Sequence, residues 1–167
     1  MKKQILKIAT TSILISIVFV VEEALSFIPN VQLTVLFFTL YGAYCGPKWG
    51  SVIVIIHTLL DCLVAGSFVP YVIIPMMLGW EIVLLFGYFF RHRSLFIITL
   101  MAGIGSIIYT LMFAVTNALF LHVNFFSYLL ADIIFDIILF GTSVLSVLWL
   151  YQPLLKVLKK KDVYEIE

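Results

Sequence analysis

Apolar residues run along this chain in six long stretches, about 5–27, 31–45, 49–65, 70–90, 95–121 and 125–155, and none alternates with period two as a half-buried strand would. Each stretch therefore predicts a helix. Pro29-Asn30, Gly46-Pro47-Lys48, Gly66-Ser67, Arg91-His92-Arg93 and His122-Val123-Asn124 separate them, all short and rich in turn formers or charge. Pro75 lies inside the fourth stretch and predicts a kink there.

The sixth stretch carries Asp132 and Asp136, four residues apart and so on one helix face. A carboxylate at the middle of a membrane helix costs roughly 2.5–3.5 kcal/mol, whereas each Leu, Ile or Phe returns only about 0.3–0.6. The pair is thus expected to face protein or water, not lipid.

Composition turns six apolar helices into six spans. The chain is 63% hydrophobic and 11% charged, with a mean hydropathy of +1.19, and a soluble domain of 167 residues would have to expose most of these side chains to water. The expectation is a single all-α integral membrane domain over 1–167, with no separate aqueous domain. No GxxxxGK[ST] motif occurs, since Gly42 to Lys48 reads GAYCGPK, and the chain is not expected to hydrolyse ATP or to be an enzyme. Cys45 and Cys62 stand near opposite ends of one predicted span, roughly 25 Å apart and beyond disulfide reach. The start, MKKQILK before an apolar run, has the form of a signal peptide, but its removal would spoil the charge pattern.

That pattern concerns all ten Lys and Arg residues: Lys2, Lys3, Lys7, Lys48, Arg91, Arg93, Lys156, Lys159, Lys160 and Lys161. With six spans they all fall on one side, which the positive-inside rule makes cytoplasmic, together with both termini. Glu22, Glu23, Asn30, Gln32, Asp61 and Asn117, with Asp132 and Asp136, then lie in the outer half; His57 and Tyr109 lie deeper, and Trp80 and Glu81 lie near mid-membrane. Polar groups converging there predict an outward-opening cup. Containing acids, amides and aromatic rings but no Lys or Arg, it favours a neutral or cationic ligand.

His57-x-x-x-Asp61 shares a helix face, and a structural hydrogen bond is its simplest reading. One His in mid-membrane is too few for a zinc site, and no metal is expected. The membrane-embedded prenyl-protein proteases use an EExxxR helix, but Phe27 stands here where their Arg should be, and Ile53 stands where Phe should precede His57. Presenilin-type aspartyl proteases need a GxGD motif, which is absent. Ala9, Ser12 and Ser16 form a small-residue face on the first helix, suited to close approach of another helix, inside the bundle or on a partner.

The first loop IPNVQLT, the GPKWG turn, the HTLLDCLVAGS segment and the LADIIFD helix together resemble the substrate-binding S components of energy-coupling factor (ECF) vitamin transporters. The resemblance implies a bacterial plasma-membrane protein that binds a water-soluble vitamin or precursor with high affinity. It also implies two loops capping a pocket built mainly by the fourth to sixth spans. In this sequence those positions are Asn30, Gln32, Ser67, Phe68, Trp80, Glu81, Tyr109, Asn117, Asp132 and Asp136. It further implies a transmembrane coupling subunit and two cytoplasmic ATPases as partners, an ABC importer in which ATP is used outside this chain. In that family docking uses two alanines four apart on the first helix; here Ala9 is followed by Ile13, and Ser12 and Ser16 are the small residues available.

Two other readings compete: a scaffold similar to the six-span rod-shape-determining protein, and an intramembrane hydrolase. Within the family, the lack of basic residues in the cup counts against carboxylate vitamins. It points towards thiamine-related pyrimidines, pyridoxine, riboflavin or cobalamin. Trp49 and Trp149 are expected at the cytoplasmic interface. Asp132 is expected to touch ligand, and Asp136, one turn deeper, to pair with Tyr109 or Glu81.

Overall fold

The computed structural model describes residues 2–28, 31–160 and 163–164. Among them are five α-helices: α1 (Lys2–Leu25), α2 (Thr34–Val64), α3 (Pro70–Phe89), α4 (Leu95–Phe120) and α5 (Phe125–Lys159). All five are long and apolar enough to cross a membrane, as in a multi-pass membrane protein. The count of six is corrected to five, because the stretches expected at 31–45 and 49–65 join into one helical run.

That run is not straight. Gly46 interrupts it with φ 72° and ψ 176°, a left-handed backbone that glycine adopts without steric cost, and Pro47 follows with its φ already set for a new first turn. The two arms, 34–45 and 47–64, fold back on each other: the rings of Phe38 and His57 are 5.3 Å apart, whereas a straight helix would separate those residues by about 28 Å. The first arm spans only about 18 Å at 1.5 Å per residue, and every residue from Thr34 to Gly46 is buried. An element covered on all sides is the core of a bundle. Accordingly α2 packs against each of the other four helices, while α1 packs on α2 alone among them.

Backbone contact fastens the first arm to α3. A Cβ on Gly42 would land on the carbonyl oxygen of Leu84, and one on Gly87 would land on the carbonyl oxygen of Thr39. Small residues at facing positions are how membrane helices gain dispersion energy where no hydrophobic effect separates protein from lipid. α3 continues as one helix through Pro75, where a kink was expected.

The helix ends follow local rules. Ser94 caps α4 by accepting from the amide of Ile97, and Asn124 caps α5 by accepting from the amide of Ser127 at 3.0 Å. Gly66, at φ 66°, closes the end of α2 while the amide of Ser67 donates to the carbonyl of Cys62.

Among the described residues beyond the last helix, Tyr164 is buried. The Tyr164 hydroxyl bonds to Thr11 Oγ1 at 2.9 Å and also donates to the Lys7 carbonyl, while its ring meets Tyr44 edge-on at 5.2 Å. The tail after α5, the start of α1 and the bend at Gly46 thus share one end of the bundle. Lys7 and Lys48 lie there. Cys45 and Cys62 are both free and buried.

Candidate functional site

The opposite end is built from the last turns of α1 and α2, the link between these helices, and the faces of α3, α4 and α5 that turn inward. A row of rings underlies it. His57 meets Phe38 edge-on, Phe38 is 5.5 Å from Trp80, Trp80 stacks on Tyr109 at 4.0 Å and 21°, and Tyr109 is 5.1 Å from Phe113. Offset aromatic contacts contribute roughly 0.5–1.5 kcal/mol each beyond the area they bury. The row ties both arms of α2 to α3 and α4, and its members Tyr109 and Phe113 reach open space.

Two cavities meet at Tyr109. The larger, about 340 Å³, is bounded by Glu22 and Glu23 of α1, Gln32 of the link, Asp61 of α2, Met76 of α3 and Tyr109. The smaller, about 160 Å³, lies between α4 and α5 and is lined by Tyr109, Thr110, Phe113, Tyr128, Asp132, Asp136 and Leu139. Small-molecule sites run from about 300 to 1,000 Å³. On size the larger cavity qualifies and the smaller falls short.

Behind the larger cavity the fully buried His57 brings Nε2 to 2.6 Å from Glu22 Oε2. The two are close enough to attract as charges, but they are out of line for a hydrogen bond, which leaves both atoms and His57 Nδ1 without one. Gln32 Oε1, also on this wall, is buried without a donor. Three acidic residues line the wall beside Ser26, Gln32 and Tyr109, and none of the described residues lining it is Lys or Arg.

The expected site residues divide among several places. Gln32 and Tyr109 line the larger cavity, and Tyr109, Asp132 and Asp136 line the smaller. The two acids are half-buried while Ile133, Ile134 and Ile137 beside them are exposed, so the acid face of α5 turns inward. Trp80 is fully buried beneath Tyr109; its Nε1 has no partner among the described residues. Glu81 accepts a short hydrogen bond from Ser51, one turn past the bend, and lines neither cavity. Asn117 donates to the Phe113 carbonyl at 2.9 Å within its own helix. Ser67 is half-buried and Phe68 exposed in the α2–α3 link, and Asn30 lies outside the described residues.

Ala9, Ser12 and Ser16 are exposed on α1. Ser12 and Ser16 donate back to the carbonyls of Ile8 and Ser12, and with Ile13, Ile17 and Val20 they border an open groove.

Glu22, Glu23 and Asp61, with His57 deeper, were expected among the polar groups of the outward cup but not among its ligand contacts. Acids within apolar helices need a partner, and in the stretches 5–27 and 49–65 the one Lys or Arg is Lys7, roughly four helical turns from Glu22. Among the described residues, no group of three or more His, Cys, Asp or Glu is placed to hold a metal ion. No family model, characterised protein or solved structure matches the chain.

Proposed function

We propose that this chain is a substrate-binding S component of an ECF-type importer, capturing a water-soluble vitamin or vitamin precursor within the membrane and passing it inward. In this reading the two arms of α2 act as separate passes, and both chain ends are cytoplasmic. The protein docks on a transmembrane coupling subunit that carries two ATPases, and it performs no bond chemistry of its own.

The observation that carries the reading is the 340 Å³ acid-lined cavity at the end of the bundle opposite Lys7 and Lys48. Acids set between apolar helices need water, a proton or a counter-charge, and a ligand carrying donors can supply what they lack. The groove on α1 bordered by Ser12 and Ser16 supports a partner helix docking there, since α1 packs on no helix but α2.

To test it, the purified chain is titrated with the water-soluble vitamins and their precursors by calorimetry. Saturable binding of one of them is expected, and binding of none by a folded protein overturns the proposal. The same α1 groove also suits a scaffold. Recovery of cell-wall synthesis proteins, with no ATPases, in a mild-detergent pull-down would favour that second reading.

A further inference from the structure

The larger cavity gathers more negative charge than the described residues around it balance. Glu22, Glu23 and Asp61 present three carboxylates to it, and Gln32 adds a buried, donorless oxygen. A carboxylate removed from water requires a proton, a cation or several donors. Among the described residues, the only titratable base behind the wall is His57, and its approach to Glu22 satisfies neither atom by a hydrogen bond. Even as imidazolium it would supply one positive charge against three negative ones. The missing component is positive and carries donors.

A bare metal ion does not fit, because no group of three ligating side chains converges among the described residues and about 340 Å³ is far more space than an ion fills. An organic molecule does. Tyr109 offers a ring face, backed by Trp80 stacked at 4.0 Å, and Met76 adds a polarizable apolar contact.

The geometry points to a binding site for an organic cation, a small molecule with a protonated amine or quaternary nitrogen, its charge between Glu22 and Asp61 and its body against Tyr109. This inference rests on the capture reading above, and it moves the centre of the site from α5 to the junction of α1 and α2. Asp132 and Asp136, across Tyr109, add negative potential from the other side.

The test uses the full chain in nanodiscs of zwitterionic lipid, with empty nanodiscs subtracted. The probes are benzylammonium, benzyltrimethylammonium, benzyl alcohol and benzoate at pH 7. Both cations are expected to bind saturably, and the alcohol and the carboxylate are not. Glu22→Gln and Asp61→Asn should each weaken cation binding by about tenfold or more, the scale of one charge-assisted contact. Asp61→Glu should restore most of the affinity.

Equal binding of benzyl alcohol would mean that the acids are held protonated, and it would overturn the inference. So would no saturable cation binding, or affinities unchanged in both Glu22→Gln and Asp61→Asn. Elution volume and melting temperature verify the fold; if one variant does not fold, the other and the four-probe series still decide the matter. Cation binding without any vitamin binding sinks the transport reading alone. Binding of a neutral or anionic vitamin that neither substitution weakens sinks this inference alone.

Discussion

The indole of Trp80 lies on the phenol ring of Tyr109, centroids 4.0 Å apart and planes tilted by only 21°. Trp80 is fully buried and Tyr109 borders both cavities, so the stack joins the core to the site. Trp80→Ala should remove about 3–5 kcal/mol of stability, the usual cost of truncating a large buried aromatic. Trp80→Phe, which keeps a ring against Tyr109, should lose less than half of that. Melting followed by far-UV circular dichroism in detergent would measure both, and equal losses would show that the stack contributes nothing beyond volume.

Close helix approach predicts a different sensitivity. Gly42→Ala and Gly87→Ala each put a methyl group onto backbone of the facing segment, so something must move, at a cost of about 1–3 kcal/mol or more. Gly141→Ala meets nothing within 4 Å and should be neutral or slightly stabilising. Comparing the melting temperatures of the three variants separates packing at α2–α3 from a general intolerance of added methyl groups.

At the bend, strain replaces packing. Gly46 and Gly66 both have left-handed φ, 72° and 66°, and nothing lies within 4 Å of a Cβ at Gly66. Gly66→Ala should therefore cost about 1–2 kcal/mol from conformation alone. Gly46→Ala should cost at least as much, since it lies between two helical arms that must fold back. Loss of the Phe38–His57 contact in that variant would be visible as altered near-UV circular dichroism.

Tyr164 supplies a pH dependence. Its burial under the bend pushes the phenol well above its ordinary value, and the Thr11 hydrogen bond opposes this only in part. The folded chain therefore holds a proton that the unfolded chain releases above about pH 10. Stability from this tail should be constant at neutral pH and should fall as pH rises past that point. Tyr164→Phe keeps the ring but lacks the titration, so its stability should fall less steeply between about pH 10 and 12, as followed by melting temperature.

The acids of α5 should separate by role. If the capture reading proposed above holds, Asp132→Asn should weaken binding of the captured vitamin, whereas Asp136→Asn, one turn deeper beside Leu139, should chiefly change melting temperature. Matching effects of the two substitutions on affinity would refute that division.

What the sequence determined by itself was the all-helical character, the stretches that became α1, α3, α4 and α5, and the inward face of Asp132 and Asp136. These follow from local composition: long apolar runs become helices in lipid because only a helix satisfies its own backbone there. Gly46-Pro47 was legible as a turn, but not as one unhelical residue joining two arms into a single element. Only the tertiary structure decided which polar groups share a space. Glu22, Gln32, Asp61 and Tyr109 come from four separate elements, and their meeting depends on how α1 and the arms of α2 pack, which no spacing along the chain encodes. The same holds for Glu81, whose partner Ser51 is set by the register of α2 against α3, and for Tyr164, drawn from beyond the last helix to cover the bend.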